Sequence, residues 1–191
     1  MSHVETPENH RYPWYLRLMF RRQRRRYGRE LEPARLWARI PAAFVAMQAM
    51  YRALDRKSSP LEPALRSLVQ VRVSQINGCD FCVDLNAFLG SGRGVTAERL
   101  RALPQFEDTA LFTEREKAAL AYAEAATRSD RRVEADLVAR LRRWFDDQAI
   151  VELAALIAFQ NMSSKFNAAL GVPAHGFCAL PGGGPASREG T

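Results

Sequence analysis

The sequence is poor in the residues from which metal centres and disulfide frameworks are built. Its 191 residues include only three cysteines and three histidines. Three cysteines are too few for the disulfide framework of a small secreted protein. A zinc ion bound by an adjacent cysteine pair would need two further ligands, and only His175 and Cys178 offer them. No glycine-rich phosphate-binding loop follows a predicted strand. We therefore predict no metal ion, no nucleotide and no other bound cofactor.

Long uninterrupted apolar segments are also missing. Hydrophobic residues make up 47% of the chain, but charged residues interrupt every window long enough to span a bilayer. The chain does not open with a charged and then apolar leader that ends in small residues. We expect a soluble protein of the cytoplasm with no transmembrane segment.

The net charge of +7 is concentrated near the start of the chain. Six arginines lie between residues 21 and 29, and the remaining sequence shows no helix-turn-helix, zinc finger or aromatic-studded basic surface. No nucleic-acid partner is predicted. The segment from Tyr12 to Tyr27 has the pattern of a basic amphipathic helix, with an apolar stripe of Trp14, Tyr15, Leu18 and Met19. This helix either touches an anionic membrane or an acidic partner, or packs on a neighbouring subunit with its arginines in solvent or paired to acids.

The fold class follows from the periodicity of the apolar residues. No stretch alternates with period two for long enough to require a strand, so the sequence predicts an all-α protein of about seven or eight helices. One of these spans Leu36 to Leu54, and Thr113 with Glu116 predicts a capping box at the start of another. We expect an N-terminal extension over residues 1–32, a helical domain over 33–180 and a disordered tail over 181–191.

The segment from Leu65 to Gly90 holds the clearest chemical signal in the chain. Its sequence is LRSLVQVRVSQINGCDFCVDLNAFLG, in which Asn77-Gly78 separates two helical patterns. The pair Cys79 and Cys82 therefore lies at the start of a helix. Residues three apart share one helical turn, so the two sulfurs can face each other and close a disulfide. The helix N-terminus favours a thiolate, whose pKa in such motifs is as low as ~3.5–7.5 instead of ~8.5.

Two alternatives to a redox pair stay open on the residues alone. The cysteines could be two buried structural thiols, or they could join His175 and Cys178 at a metal ion. A short internal repeat is also present, because NAFLG at 86–90 is matched by NAALG at 167–171. At that offset Cys79 and Cys82 correspond to Gln160 and Ser163, as in a duplicated helical unit whose first copy alone kept its thiols.

Three segments of the chain resemble a known family. LRSLVQVRVSQINGCDFCVDLN, FTEREKAALAYAEAAT and IVELAALIAFQNMSSKFNAALG are similar to the carboxymuconolactone decarboxylase superfamily, in its alkylhydroperoxidase D-like, peroxidase-related branch. The similarity extends from about Trp37 to Cys178. It implies an all-α alkylhydroperoxidase D-like domain that assembles as a homo-oligomer, a dimer, trimer or hexamer, and that is often active as a thiol peroxidase.

The resemblance also assigns roles to residues. It implies that Cys82 attacks the peroxide and that Cys79 resolves the sulfenic acid as a disulfide. The family places a Glu and a His in a proton relay, and this chain has Ser67 and Asn86 at those two positions. Neither side chain titrates near neutrality, so neither can act as a general base. Asn86 can still donate a hydrogen bond to the sulfur, and Ser67 can do so through a water.

Neighbouring residues offer partial substitutes for the relay. Arg72 would stabilise a thiolate if it pointed inward, and is otherwise a surface arginine. Asp80 and Asp84 are expected in solvent, or Asp80 caps the helix, because a carboxylate beside a thiolate raises the pKa of the thiol. We expect His175 to make a hydrogen bond in the C-terminal turn and Cys178 to be a small buried side chain.

These observations predict a thiol-disulfide oxidoreductase that reduces a small hydroperoxide and is itself reduced by a protein or thiol donor. The first alternative is a non-enzymatic redox sensor or degenerate homologue, in which oxidation changes the packing of an oligomer. A decarboxylase like the founding members is another, but that chemistry needs a titratable acid and base that this chain lacks. A helical module that binds a partner through the basic N-terminus is the last.

Overall fold

The structure, a computed structural model, describes residues 2–5 and 12–178. These residues form nine α-helices and one 3-10 helix, Leu103–Asp108, without a strand, which confirms the all-α fold class. The predicted disordered tail lies outside the described residues. The α-helices are α1 Trp14–Tyr27, α2 Glu32–Trp37, α3 Pro41–Leu54, α4 Pro63–Ile76, α5 Asp80–Ser91, α6 Ala97–Ala102, α7 Glu114–Thr127, α8 Ala135–Arg142 and α9 Asp147–Ala169.

The region before α4 differs from the sequence prediction. The helix predicted over Leu36 to Leu54 is divided, because a short separate helix, α2, ends at Trp37 and α3 begins at Pro41. Pro41 explains the division. A residue that precedes proline is pushed out of the helical region, and Ile40 has φ −123° and ψ 78°. The chain can therefore change direction between α2 and α3.

The buried apolar side chains form two groups. The first core is built mainly from α4, α7 and α9, and its fully buried members include Leu65, Leu68, Leu120, Leu153 and Ile157. The cysteine core lies among α1, α2, α3 and the start of α5. Its buried members are Leu16, Phe20, Leu31, Ala34, Leu36, Ala38, Phe44, Cys79, Phe81, Cys82 and Val172.

Helix α1 buries only part of the predicted apolar stripe. Tyr15 and Met19 of that stripe pack, partly buried, against the cysteine core. Leu16 and Phe20 are buried in the cysteine core, where Phe20 stacks on Phe44 with ring centroids 6.3 Å apart. Trp14 is instead 72% exposed, and Leu18 is exposed as well. The helix therefore packs on its own chain through Leu16 and Phe20. The division of the chain at residue 32 stays a prediction. None of the described helices combines the length and apolar character needed to cross a membrane.

Helices α4 and α5 form an antiparallel pair that places the cysteines. The turn between them contains Gly78 with φ +61°, a conformation that favours glycine. The Cys79 backbone N–H donates to the Ser74 carbonyl at 3.0 Å, next to the turn. At the far end of the pair, a Cβ on Gly90 would lie 3.2 Å from that of Ser67. The two cysteines therefore lie at the turn end, where α9 also packs.

Candidate active site

Cys79 and Cys82 face each other across the first turn of α5. Cys79 is the N-cap residue, and its sulfur accepts a hydrogen bond from the Cys82 backbone N–H at 3.3 Å. The two thiols also lie close enough for each to shift the pKa of the other. Both thiols are free and buried, with 1% and 3% of their surface exposed. The two cysteines thus lie side by side at a helix N-terminus.

The pKa values of the two thiols are shifted in opposite directions. The hydrogen bond from the Cys82 thiol and that from its backbone N–H lower the pKa of Cys79, against the opposing effect of burial. The pKa of Cys82 is raised, first because its proton is held between the two sulfurs and then because the group is buried. The first negative charge therefore forms on Cys79, while Cys82 keeps the proton.

Helix α9 supplies the polar groups around the sulfurs. The Asn167 side-chain Nδ2 donates to the Cys82 sulfur at 3.2 Å, and the Ser163 hydroxyl also hydrogen-bonds to it. Deeper in the protein, the Gln160 amide donates to the Ser74 hydroxyl at 2.9 Å. Sequence reasoning assigned no role to these α9 residues. The internal repeat was the available signal, because it pairs Gln160, Ser163 and Asn167 with Cys79, Cys82 and Asn86.

A cavity of about 380 Å³ leads to the Cys82 sulfur. Its walls come from α1, α2, α3, α5 and α9, with Gln70 from α4. Asn86 lines the cavity one turn after Cys82 and has no hydrogen-bond partner among the described residues. The Oδ1 of Asn167 is likewise buried without a partner. The aromatic lining residues are Tyr27, Trp37, Phe44, Tyr51, Phe81 and Phe159.

The structure separates Ser67 from the other predicted site residues. Ser67 is buried opposite Gly90, and its hydroxyl accepts a hydrogen bond from Arg93 at 3.3 Å. Gly90 lies eight residues after Cys82, which is about 12 Å along a helix. Ser67 therefore does not lie within one water of the sulfurs. Asn86, by contrast, lines the same cavity as Cys82.

Arg72 points inward but does not serve the thiols. It is buried and forms an ion pair with Glu124 on α7, and it also donates to Gln75 at 3.2 Å. A buried arginine beside a carboxylate has its charge already balanced. Both alternatives offered for Arg72 are thus wrong, since it is neither a thiolate partner nor a surface residue.

Asp84 holds the C-terminal segment over α5. It is buried, and its carboxylate accepts three backbone hydrogen bonds, from His175 at 2.9 Å, Phe177 at 3.1 Å and Cys178 at 2.7 Å. The expectation that Asp84 lies in solvent is therefore wrong. Asp80 is exposed, as expected, but Cys79 rather than Asp80 is the N-cap.

His175 packs next to the cysteine pair, against Phe81 of α5. The His175 ring meets Phe81 edge-on with centroids 4.9 Å apart, and its Nε2 is 3.7 Å from the Glu32 carboxylate. Burial and the nearby Arg29 lower the pKa of His175. Cys178 is half-buried against the first core, and burial raises the pKa of its thiol. Within residues 2–5 and 12–178, no group of three or more His, Cys, Asp or Glu side chains is placed to hold a metal ion.

Known proteins are similar to this chain in sequence and in fold. The model of the carboxymuconolactone decarboxylase family matches residues 30–125, a stretch that includes both cysteines. The uncharacterized protein YnjA of Escherichia coli is 41% identical over 175 residues, covering 92% of this chain and 96% of its own. The fold is shared with two solved structures described as uncharacterized peroxidase-related proteins.

The first of these, from Ralstonia eutropha, is described as an alkylhydroperoxidase AhpD core. It superposes with a TM-score of 0.82 at 22% identity, covering 92% of this chain and 94% of its own. The second, from Silicibacter, has a TM-score of 0.79 at 22% identity, covering 89% and 90% of the two chains. These likenesses show that the chain shares the all-α fold of both proteins.

Proposed function

Because this chain belongs to the carboxymuconolactone decarboxylase family, we propose that it is a thiol-disulfide oxidoreductase that reduces hydroperoxides through Cys79 and Cys82. The observation that carries the proposal is that Cys79 and Cys82 are joined within the first turn of α5, by the hydrogen bond from the Cys82 N–H to the Cys79 sulfur, and that Cys82 lines a cavity. Two adjacent thiols supply the two electrons that a hydroperoxide needs, and the cavity gives the substrate a way to reach Cys82.

We further propose that Cys79 replaces the missing proton relay. Its thiolate accepts a hydrogen bond from the Cys82 thiol, which is the position of a general base. Proton transfer along that bond moves the negative charge to Cys82, the sulfur that lines the cavity. Ser67 lies too far away to take part, and Asn86 can donate a hydrogen bond but cannot accept the proton.

The reaction then proceeds in two balanced steps. The Cys82 thiolate attacks one peroxide oxygen, the O–O bond breaks, and Cys82 becomes a sulfenic acid while the alkoxide takes the proton held by Cys79. The Cys79 thiolate next attacks the Cys82 sulfur, so that the S–S bond forms and hydroxide leaves. Two electrons pass from the sulfurs to the peroxide, giving an alcohol and hydroxide. An external protein or low-molecular-weight thiol must then reduce the disulfide.

Hydrogen bonds from α9 support this cycle. The amide of Asn167 donates to the Cys82 sulfur and also acts to lower the pKa of Cys79, so it favours the thiolate whichever cysteine bears the charge. A hydrogen bond to a charged group is worth ~1.5–3 kcal/mol, which partly offsets the burial of the thiolate. The side-chain amide of Asn86, which lines the cavity without a hydrogen-bond partner among the described residues, is available to a peroxide oxygen.

A single-turnover experiment with tert-butyl hydroperoxide tests the proposal. Wild-type protein should lose two thiols per peroxide consumed and gain an intramolecular disulfide. Cys82→Ser should react no faster than a free thiol, and Cys79→Ser should stop at a sulfenic acid that dimedone traps. Cys178→Ser is the matched control, because this third thiol does not line the cavity, and it should behave as wild type. Oxidation of wild type at the rate of free cysteine would contradict the proposal.

The burial of both thiols also supports a second candidate, a redox sensor without turnover. In that case oxidation would alter the packing of the cysteine core and with it the assembly of the protein. The two functions separate on one measurement, the number of peroxide molecules consumed per chain with an excess of dithiothreitol. An oxidoreductase consumes many, whereas a sensor consumes peroxide no faster than dithiothreitol alone and changes its assembly state reversibly. The assembly state itself stays a prediction.

A further inference from the structure

The cavity that reaches Cys82 has a strongly basic end. Three arginines line it, Arg22 and Arg26 from α1 and Arg52 from α3. All three are exposed, and none has an acidic partner among the described residues. Arg24, which does not line the cavity, is by contrast paired with Glu30. No acidic residue lines the cavity, so its wall carries three positive charges that the described part of the chain leaves unbalanced.

The arginines follow from the helical periodicity of α1 and α3. On each helix, residues spaced i, i+3, i+4, i+7 and i+8 share one side. Each helix turns one such side toward the cavity, and its arginines lie in the second half of the helix. The lining residues on α1 are Met19, Arg22, Gln23, Arg26 and Tyr27, and those on α3 are Phe44, Met47, Gln48, Tyr51 and Arg52.

The ends of α1 and α3 come together at one end of the cavity. Arg26 is close enough to Tyr51 to oppose the rise in its pKa, which burial and Asp55 bring to about 12. Tyr27 in turn is close enough to Arg93, which follows α5, for that arginine to act on its pKa. The basic end therefore lies toward the C-terminal end of α5, away from Cys82 in its first turn.

The length of the cavity follows from α5, which forms one wall. The lining residues of this helix run from Cys82 through Leu85 and Asn86 to Leu89. Seven residues of helix span about 10 Å. Aromatic and aliphatic side chains make up much of the lining, together with the amides of Gln23, Gln48, Gln70 and Gln160. The cavity thus combines a largely apolar lining with amide groups and three guanidinium groups.

We propose that this cavity binds a small organic anion with an apolar body, whose acidic group lies against Arg22, Arg26 and Arg52 and whose other end reaches Cys82. Guanidinium groups recognise carboxylates through paired hydrogen bonds, and the largely apolar lining accepts a hydrocarbon or aromatic body. If the function proposed above is correct, the substrate is a hydroperoxide of such an organic acid. The binding of the anion itself does not depend on the redox step.

Calorimetric titration with octanoate tests the inference, with 1-octanol as the uncharged ligand of the same chain length. The protein is Cys79→Ser/Cys82→Ser, which cannot undergo the redox step. Octanoate should bind at one saturable site about tenfold more tightly than 1-octanol, a difference of ~1.4 kcal/mol. Adding Arg22→Gln/Arg26→Gln should remove this preference. Raising the salt concentration should weaken the binding of octanoate and leave the binding of 1-octanol nearly unchanged.

The matched control is Arg21→Gln/Arg25→Gln in the same background. It removes two charges from the same helix, at exposed positions that do not line the cavity, and should bind octanoate within twofold of the parent. Equal binding of both ligands, or equal loss in the two arginine variants, would overturn the inference. A wild-type protein that reduces tert-butyl hydroperoxide while this parent binds no octanoate would overturn the inference and leave the proposed function standing. If octanoate binds but wild type does not reduce tert-butyl hydroperoxide, the proposed function is overturned and the inference stands.

Discussion

The two cores of this protein differ in composition and in how completely their side chains are buried. The first core joins α4, α7 and α9 through fully buried aliphatic side chains such as Leu68, Leu120 and Leu153. The cysteine core is rich in aromatic residues, many only half-buried, and it encloses one side of the 380 Å³ cavity. A core without voids contributes most to stability, whereas rigid rings around a space keep a pocket open. We infer that stability and chemistry reside largely in separate parts of one helical domain.

The largest effect is expected from a void made in the first core. Leu153→Ala removes a fully buried side chain from α9 and should lower the free energy of unfolding by about 2–5 kcal/mol. The matched variant Met47→Ala borders the existing cavity and should cost only about 1 kcal/mol. Urea denaturation measures both. Equal losses would show that the two cores contribute equally to the free energy of unfolding.

The next effect concerns the pH dependence of thiol oxidation. The pKa of Cys79 is lowered in the folded protein, so the reactive charge is present above that pKa and is lost as the pH falls through it. The same thiolate stabilises the fold at pH values above the pKa of the unfolded thiol. That stabilisation is lost as the pH falls through the lowered pKa of Cys79 in the folded protein. In Cys79→Ser, Cys82 must ionise alone in a buried position. The midpoint of its oxidation rate should therefore move to higher pH than in wild type.

Ultraviolet thiolate absorbance and stopped-flow oxidation by tert-butyl hydroperoxide, both followed across pH, measure these midpoints. Cys178→Ser should leave the wild-type profile unchanged because Cys178 does not line the cavity. If wild type and Cys79→Ser share one midpoint, Cys79 is not the base that ionises Cys82.

A third prediction tests the contact that holds the C-terminal segment on α5. Asp84→Asn removes the charge that accepts three backbone hydrogen bonds and should cost about 1–3 kcal/mol of stability. Asp80→Asn makes the same chemical change at an exposed position four residues earlier and should be nearly neutral. Hydrogen exchange of the amides of 175–178 should accelerate only in Asp84→Asn. Equal exchange in the two variants would remove the role given to Asp84.

The smallest effect is expected at the α9 side of the sulfurs. Asn167→Ala removes the amide that donates to Cys82 and should slow thiol oxidation up to about tenfold. The hydrogen bond to the thiolate, worth ~1.5–3 kcal/mol, exceeds the hydrogen bond to the neutral thiol, worth about 0.5–1.5 kcal/mol, by about 1 kcal/mol. Asn161→Ala is the control on the same helix, because its amide bonds to Thr127 rather than to a sulfur. Its oxidation rate should match that of wild type. A slower Asn161→Ala would assign the effect to the packing of α9.

Much of the local structure could be predicted because it depends on neighbours in the chain. The Thr113 and Glu116 capping box forms as predicted, and Cys79 begins α5 after the Asn77-Gly78 turn. These features need only hydrogen bonds and dihedral preferences within a few residues. Of the stripe predicted for α1, Tyr15 and Met19 pack against the cysteine core, whereas Trp14 and Leu18 are exposed. Apolar residues lie on more than one face of this helix, and the local pattern does not choose between the faces.

The sequence by itself determined the all-α fold class and the position of the cysteine pair at a helix start, since each depends on the order and type of nearby residues. Only the tertiary structure decided that Asn167 donates to Cys82 and that Arg72 is occupied by Glu124. It also brought the arginines of α1 and α3 to one cavity with Cys82. These contacts join residues tens of positions apart, and their geometry is set by how the helices pack.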